Sequence, residues 1–444
     1  MANLSGWGRF PRCDGALVLP RTPRDAAEAV KAGGTWIARG NGRSYGDAAA
    51  SAGLTLSTLG LDRLIAFDDE SGLLDVEAGV LLSDIIATLG PRGFFPPVVP
   101  GTRLVTVGGM IAADVHGKNH HRAGCISRHV ESFDLLLPSG EVLSCSRGCN
   151  PELFWATVGG MGLTGMILRA RLRLDRVETG WLVQRTETAA TLGETLATLD
   201  RAGAATFCVA WIDCAARGPK LGRSVVLSAE HASLKTIEAR GIGDRFPCLE
   251  GSAPAWPLDL PEALMRRGTA RMLNELHFRR HAGTHDRARL IDWNSCFFPL
   301  DALRDWNRLY GRRGFIQHQC VVPAHDAERT LGSIIGAFAK ASGGLFLSVL
   351  KRFGPGGEGW LSFPIDGYTL AVDTPVRADV FAVLDSVDAI VAAAGGRNYL
   401  AKDSTQSADT LAAGYGRLGD FRALRKEIGA AGRLRSRLSD RLGL

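Results

Sequence analysis

A glycine-rich stretch near the start of the chain constrains the fold more than any other feature. The residues ARGNGRSYGD, at positions 38–47, follow directly on the apolar segment Thr35–Ile37. Glycine at 40, 42 and 46 lets successive backbone N–H groups turn toward one point without Cβ clashes, which creates an anion-binding concavity. The spacing is G-x-G-x-x-x-G, not the G-x-G-x-x-G of a Rossmann-type NAD site, which the sequence therefore excludes. Taken alone, the stretch predicts either a diphosphate-binding loop or an ordinary surface turn.

Two further glycine-rich elements favour the diphosphate-binding interpretation. Pro100–Arg103 is followed by Thr106–Gly109 and then by His116–His121, about 60 residues after the first loop. Two such loops can hold the two sides of one extended cofactor. The third element, Phe154–Gly165, contains four glycines and permits close backbone approach to a large planar group. A tightly packed domain corner is the alternative explanation for this third element.

The histidines of the second element raise the question of a metal. His116 and His120 have the i, i+4 spacing of the zinc motif H-E-x-x-H. Gly117 stands where that motif has its glutamate, and glycine disfavours the helix that would place both histidines on one face. We therefore predict no metal site.

Length and composition set the class of protein. At 444 residues the chain exceeds the size at which one hydrophobic core usually stops growing, so two domains are expected. With 45% hydrophobic and 22% charged residues, it has the composition of a folded globular protein. Its nine cysteines form no C-x-x-C pair, and no stretch resembles a signal peptide or a membrane span. These features predict a cytoplasmic protein.

Turn residues and the periodicity of apolar residues indicate where the helices, strands and domain boundary lie. Short strands with interposed helices, an α+β pattern, continue to a boundary predicted near Asp175. Within this part, the pair Ser139-Gly140 separates two apolar segments and predicts a hairpin. Further on, residues 360–376 predict strands of a second sheet, and residues 377–396 predict a helix that ends at its two final glycines.

Motifs spread over the chain carry a family resemblance. Beside the glycine elements they are GWGR at 6–9, AWID at 210–213, PKLGR at 219–223, DWNRLYG at 305–311, KRFGP at 351–355, LSFPI at 361–365 and AKDS at 401–404. In this order they resemble the vanillyl-alcohol oxidase, or p-cresol methylhydroxylase, FAD-binding superfamily, and within it the decaprenylphosphoryl-ribose oxidases. The resemblance implies a two-domain α+β fold. Its parts would be an FAD-binding domain at 1–175, a substrate domain at 176–394 and a C-terminal segment at 395–444 that returns to the FAD domain.

The resemblance also implies site residues. Contacts with FAD are expected from Ala38, Arg39, Gly40, Asn41, Gly42, Arg43, Ser44, Tyr45, Gly46, Asp47, Gly101, Thr106, Val107, Gly108, Gly109, His116, Gly117, Lys118, Asn119, Ile167 and Tyr399. Covalent members often have histidine after the first glycines, where this chain has Ser44-Tyr45, so FAD is expected to bind non-covalently. Lys402 and His116 are implied as catalytic residues. The implied substrate-binding residues are Gln317, Gln319, Lys351, Ala371 and Lys402.

Some positions depart from the family pattern. Ala371 replaces a cysteine of the better-known members, and Phe297-Phe298 replaces a Tyr-His pair. The segment after Arg417 also matches weakly. These differences alter the expected pocket wall and leave the flavin chemistry in place.

The activity implied by the resemblance is oxidation of the ribose 2-hydroxyl of a polyprenyl-phosphoryl-β-D-ribose to the 2-keto sugar. This is the first half of an epimerisation to the arabinose donor of cell-envelope arabinan, which an NAD(P)H-dependent keto-reductase partner would complete. Two alternatives stay open: an alditol, aldonolactone or other sugar oxidase that uses oxygen, and a binding protein that has kept the fold and lost the chemistry.

The C-terminal tail is basic, which raises the question of binding to nucleic acid or to a membrane. From Phe421 to Leu444 there are seven Arg or Lys residues against two acidic ones. No aromatic residues are interleaved with these charges, so nucleic-acid binding is not predicted. The tail predicts either a solvated surface helix or peripheral contact with the inner membrane.

Overall fold

The computed structural model describes residues 2–249, 253–282, 288–345 and 347–444. In chain order its strands are β1 (Ala2–Ser5), β2 (Arg12–Val18), β3 (Trp36–Arg39), β4 (Leu54–Ser57), β5 (Leu64–Asp68), β6 (Leu73–Glu77), β7 (Phe94–Phe95), β8 (Val130–Leu136), β9 (Val142–Ser146), β10 (Met166–Arg173), β11 (Asp175–Arg176), β12 (Trp181–Ala189), β13 (Phe207–Ile212), β14 (Ser224–His231), β15 (Arg289–Asp292), β16 (Phe315–Pro323), β17 (Ser348–Phe353), β18 (Gly367–Pro375) and β19 (Arg397–Asn398). Its helices are α1 (Pro23–Lys31), α2 (Leu82–Leu89), α3 (Val107–Ala112), α4 (His120–Ala123), α5 (Pro151–Thr157), α6 (Leu192–Ala202), α7 (Leu234–Glu238), α8 (Arg267–Ala282), α9 (Trp293–Phe297), α10 (Ala327–Phe338), α11 (Val380–Ala393), α12 (Ala408–Gly414), α13 (Leu418–Glu427) and α14 (Arg437–Leu442). The predicted α+β class is confirmed.

Two sheets build the N-terminal part of the protein. In the first, β2, β4 and β3 run parallel and β1 pairs antiparallel with β2. The second is antiparallel, in the order β5-β6-β10-β8-β9. Along β10, buried and exposed side chains alternate from Leu168 to Arg173 because successive strand residues point to opposite faces. Helices α2, α3 and α5 pack their apolar residues into the same core as this sheet.

A larger antiparallel sheet follows in the sequence, with the order β15-β12-β14-β13-β17-β18-β16-β19. Strands β13, β16 and β18 are buried on both faces over most of their length, whereas β12 and β15 at one edge are more exposed. The alternation of side chains separates two environments. One face, with Leu350, Leu370 and Cys320, packs against α6, α10 and α11. The other face carries Gln319 and Lys351 and turns toward the N-terminal sheets.

The C-terminal segment packs against the N-terminal part of the chain. After β19 the backbone reaches the edge of the first sheet, where Trp36 N–H donates to Arg433 O at 2.8 Å and Arg435 N–H donates to Trp36 O at 3.0 Å. The leucines of α14 are buried. This pairing is compatible with the boundaries proposed at 175 and 394, although β19 still belongs to the large sheet.

Several local predictions can be compared with the structure. The Ser139-Gly140 hairpin is confirmed, since β8 and β9 pair antiparallel around it. The helix predicted at 377–396 is α11, and Gly395 follows it with a φ of 70°. The strand predicted at the start of 360–376 is wrong: residues 360–365 form a buried loop in which Trp360 N–H donates to Trp155 O at 3.0 Å. Their apolar side chains are buried against the N-terminal core, so burial, not strand pairing, explains the pattern.

Candidate active site

A cavity of about 420 Å³ lies between the glycine-rich elements and the inner face of the large sheet. Its lining includes most residues of the predicted site: Ala38, Arg39, Gly40, Asn41, Gly42, Arg43, Ser44, Tyr45, Gly101, Thr106, Gly108, Gly109, His116, Gly117, Lys118, Ile167, Tyr399, Gln317, Gln319, Lys351, Ala371 and Lys402. Residues more than 350 positions apart in the sequence therefore meet at one site, as the motif order predicted.

The end of the first glycine loop lies outside the lining. At Gly46 a Cβ atom would stand 1.7 Å from the carbonyl oxygen of Asp403, so this glycine allows two backbone segments to pack together. Asp47 is buried and accepts hydrogen bonds from Arg441 at 3.0 and 3.3 Å. Both residues support the loop from behind and lie outside the cavity lining.

Two predicted residues of the second element also lie outside the cavity lining. Val107 is buried in the N-terminal core, on the inner side of α3. Asn119 donates from Nδ2 to the carbonyl oxygen of Pro97 at 2.7 Å and is buried. Their side chains stabilise the conformation of the second element, and neighbouring residues line the cavity.

The first two glycine elements pack directly against each other. A Cβ atom at Gly40 would lie 2.3 Å from Oγ1 of Thr106, so only glycine fits there. Asn41 donates from Nδ2 to Leu104 O at 2.8 Å, which ties the loops together. Oγ1 of Thr106 accepts from Gly109 N–H at 3.2 Å and so begins α3. At this end of the cavity the wall is made of glycines, so backbone N–H groups are present and few side chains intrude. The diphosphate of an FAD fits such a site.

Arg39 stabilises the first loop and does not present its charge to a ligand. Its guanidinium donates to Ser5 O at 2.7 Å and to Ala49 O at 2.9 Å. Arg43 lies over the ring of Trp7, with Cζ 4.0 Å from the ring centroid.

His116 joins the two walls of the cavity. Gln319, on β16, donates from Nε2 to Nε2 of His116 at 3.0 Å and also lies 3.1 Å from Oγ1 of Thr369. Burial, with added repulsion from Lys351, holds the pKa of His116 well below its ordinary value, so the ring is neutral. Its proton is then on Nδ1, which has no hydrogen-bond partner in the described part of the chain. This N–H is itself buried, and the rings of Phe353, Phe363 and Tyr399 pack around the imidazole.

Lys402 and Asp373 form the titratable pair of the site. Nζ of Lys402 lies 3.5 Å from the ring centroid of Tyr45. Burial lowers the pKa of Lys402, while the charge of Asp373 acts in the opposite direction. Burial likewise raises the pKa of Asp373, whose Oδ1 accepts from Nε2 of Gln317 at 2.5 Å. The ammonium of Lys402 therefore loses its proton more readily than that of an exposed lysine.

Three lysines from different elements line the cavity, one from the second glycine element, one from β17 and one from the C-terminal segment. They are Lys118, Lys351 and Lys402. Burial lowers the pKa of Lys351 to about 8, with repulsion from Lys118 as the second cause. Cations in a partly desolvated cavity are stabilised by an anionic occupant. The cavity can therefore bind a phosphate group as well as move a proton through Lys402.

Sequence reasoning missed some residues that line or support the cavity. Thr369 lies two positions before the predicted Ala371 on β18, and Asp373 lies two positions after it. The period of two along a strand could have identified both. Trp211 also lines the cavity, and it lies within the AWID motif.

The residues that depart from the family pattern occupy different places. Ala371 lines the cavity opposite Gln319 in the strand register, and Phe297 lines it as well. Phe297 packs against Phe207 with ring centroids 4.8 Å apart. Phe298 is buried and lies outside the lining.

The histidine pair considered for zinc is not arranged as a metal site. His116 precedes α4 and His120 begins it, and their ring centroids are 6.3 Å apart at nearly perpendicular planes. Across the described ranges, no group of three or more His, Cys, Asp or Glu side chains has a geometry suited to a metal ion.

Comparison with known proteins connects this site to a family. The FAD binding domain family matches residues 15–146. The whole chain is 37% identical to a decaprenylphosphoryl-β-D-ribose oxidase of Mycolicibacterium smegmatis and covers 97% of that protein. It is 39% identical to an uncharacterised protein of Streptomyces coelicolor, over 80% of this chain and 97% of the other. An L-gulonolactone oxidase of Bos taurus is 31% identical over 36% of each chain.

The parts of the chain that these similarities cover include the elements that form the cavity. The FAD binding domain match contains the glycine loop at 38–47 and the element at 106–109, whose packing forms the narrow end of the cavity. The full-length similarity extends over the large sheet, which supplies the opposite wall. The protein is therefore an FAD-dependent oxidoreductase, and it belongs to the decaprenylphosphoryl-β-D-ribose oxidase family.

Proposed function

We propose that the protein oxidises the 2-hydroxyl of a polyprenyl-phosphoryl-β-D-ribose to the 2-keto sugar. The observation that carries this proposal is that Lys118 and Lys351 line the cavity together with Lys402, the proposed proton acceptor. A neutral polyol gives the ammonium groups of Lys118 and Lys351 no counter-charge, whereas a phosphodiester does. The M. smegmatis relative, whose name states a substrate of this kind, is similar over 97% of its length, while the lactone oxidase is similar over about a third.

The proposed roles follow from the geometry of the cavity. The glycine elements would hold FAD, which when bound would supply the two-electron oxidation of the carbinol. Lys402, in its neutral form, takes the hydroxyl proton, a role that its lowered pKa supports. His116, which lines the cavity, contacts the sugar or the cofactor. Gln317 and Gln319 position these groups, and Ala371 leaves room for the sugar.

We also propose that FAD binds without a covalent bond. Ser44 and Tyr45 occupy the cavity lining at the position where covalent members often carry histidine. Acid precipitation of the purified protein tests this directly, because non-covalent flavin stays in the yellow supernatant. Flavin that remains in the pellet would contradict it.

The proposed product requires a second enzyme. A 2-keto sugar becomes the arabinose epimer only when a reductant delivers a hydride to the opposite face, so an NAD(P)H-dependent keto-reductase is the expected partner. A lipid-linked substrate also has to be reached at a bilayer. No described helix has the length and apolar character needed to cross one, so we propose peripheral contact with the membrane.

Product analysis tests the proposed reaction. The flavin-loaded enzyme is incubated with polyprenyl-phosphoryl-ribose and an artificial electron acceptor, and borodeuteride then reduces the product. Deuterium at C2 of the recovered pentose is the expected result. Deuterium at another carbon, or peroxide formation with a free alditol and no reaction of the phosphoryl sugar, would instead support the sugar oxidase alternative.

A further inference from the structure

Helix α8 exposes an apolar face. Met272, Leu273 and Leu276 are 64%, 44% and 65% exposed, and their spacing places them on one side of the helix. Five of the eleven large hydrophobic side chains that are exposed in the described part of the chain lie between residues 258 and 276. Such a concentration on one short segment is typical of a contact surface.

The opposite face fixes α8 on the large sheet. Asn274 is buried and donates from Nδ2 to Asp213 Oδ1 at 2.8 Å and to Leu345 O at 3.1 Å. Glu275 accepts from Nη1 of the buried Arg223 at 2.6 Å. With its inner face held by these bonds, the helix presents its apolar residues outward without having to unfold.

The helix also stands beside the active-site cavity. The rings of His277 and Trp211 have centroids 4.5 Å apart, and Trp211 lines the cavity. Only one side chain therefore separates α8 from the space where the substrate is expected. A lipid chain that leaves the cavity on this side would emerge next to the exposed face.

Charge indicates which partner suits this face. Within α8, Arg280 is exposed on the side of Leu273 and Leu276, whereas Arg267 and Arg271 donate to the carbonyl oxygens of Ala341 and Ala215. The single acidic residue of the helix, Glu275, already pairs with Arg223 and Arg279. A two-fold dimer through this face would bury Arg280 with no carboxylate of α8 available to pair with it. An anionic bilayer offers both an apolar phase and negative headgroups.

We propose that the outer face of α8, formed by Met272, Leu273, Leu276 and Arg280, docks on an anionic lipid membrane and positions the cavity at the bilayer surface. This inference deepens the proposed function and rests on it for its purpose, the delivery of a lipid-linked substrate. It replaces the basic C-terminal tail as the predicted membrane contact, because the apolar side chains of that tail are packed against the N-terminal part of the protein.

Vesicle flotation of the full-length, flavin-loaded protein tests the proposal. Phosphatidylcholine vesicles with and without phosphatidylglycerol are compared, in the absence of any sugar substrate. The double variant Met272→Gln/Leu276→Gln is expected to weaken binding to the anionic vesicles about tenfold. Arg280→Glu is expected to weaken it by a similar factor at low salt and less at high salt. The control Ile65→Gln/Val142→Gln changes two apolar side chains, each 46% exposed, on the sheet that contains β5 and β9, and is expected to bind normally.

Unchanged binding of both α8 variants would overturn the proposal, as would equal binding of the wild type to neutral vesicles. Loss in the α8 variants of a concentration-dependent dimer, with no vesicle binding by the wild type, would assign the face to a second copy instead. Flavin reduction by a short-chain phosphoryl-ribose is measured on the same samples and is expected to be unchanged. Failure of that reaction in the wild type would count against the proposed function and not against the membrane surface.

Discussion

Nε2 of Gln319 lies 3.0 Å from Nε2 of His116, so a hydrogen bond connects the large sheet with the second glycine element across the cavity. The bond fixes the tautomer of the histidine, with the proton on Nδ1. Replacing Gln319 by Met removes the donor while keeping the side-chain length. Loss of one hydrogen bond of about 1.4 kcal/mol is expected to lower kcat/KM for flavin reduction roughly tenfold.

The neutral state of His116 has a consequence for the pH dependence of flavin reduction. Because the pKa of His116 is held well below its ordinary value of 6.5 by burial, the wild-type rate of flavin reduction should show no ionisation in that range from this residue. A histidine limb that disappears in His116→Gln would contradict a neutral His116. An unchanged kcat/KM in Gln319→Met would show that the hydrogen bond does not matter for catalysis.

The second prediction concerns Asp373 and Lys402. The charge of Asp373 raises the pKa of Lys402 against the effect of burial, so Asp373→Asn should lower that pKa further. If neutral Lys402 accepts the proton, the rate of flavin reduction rises with pH through its pKa, and in Asp373→Asn this rise moves to lower pH. Lys402→Met should reduce the rate by about two to four orders of magnitude at all pH values. A pH profile of Asp373→Asn that matches the wild type would contradict the coupling.

The third prediction tests the close contact of the glycine elements. Gly40→Ala would place Cβ 2.3 Å from Oγ1 of Thr106, so the loops must separate and the cofactor site widens. We expect the purified variant to contain little flavin, measured as the ratio of flavin to protein absorbance. Gly336→Ala, in α10 and outside the cavity lining, is the control, because the added Cβ there meets no atom within 4 Å beyond its own helix. Equal flavin content in both variants would contradict the assignment.

The fourth prediction concerns the attachment of the C-terminal segment. Arg441 pairs with the buried carboxylates of Asp47 and Asp403, both at 3.0 Å. Arg441→Met leaves these carboxylates without their cation and should lower the free energy of unfolding by about 3 kcal/mol at neutral pH. Arg435→Met, which breaks an exposed pair with Asp440, should lower it by less than about 1 kcal/mol. Urea unfolding at neutral pH compares the two variants.

The effect of Arg441→Met should shrink as the pH falls. Burial raises the pKa of Asp47 in the folded state, and Arg441 acts in the opposite direction, so the pKa is higher still in the variant. A carboxyl whose pKa is raised by folding favours the folded state when it is protonated, so the variant regains stability relative to the wild type toward acidic pH. A difference that is constant with pH would contradict this account.

Some elements of the fold can be predicted from the sequence, and others cannot. The hairpin at Ser139-Gly140 and the helix before Gly395 follow from local turn and cap residues, and both are present. The loop at 360–365 was predicted as strand because its apolar residues do not reveal whether they are buried by pairing or by packing. Only the tertiary structure decides this.

The residues of the candidate active site were likewise only partly predictable from the sequence. Motif order identified most residues of the cavity lining, because glycine loops leave a recognisable spacing. It did not identify Asp373, which supports Gln317 from behind, or separate Gly46 and Asp47 from the rest of their loop. Those two contact the C-terminal segment, and long-range contacts of this kind leave no periodic signal in the chain.

Anaerobic reduction of the bound flavin tests the central claim most directly. Purified protein is mixed with polyprenyl-phosphoryl-β-D-ribose, and the flavin absorbance is followed beside a parallel sample that contains the 2-deoxyribose analogue. The account predicts bleaching with the ribose compound and none with the analogue, which binds through the same phosphate and lacks the reacting hydroxyl. Bleaching by both compounds, or by neither in a protein that carries a full complement of FAD, would contradict it.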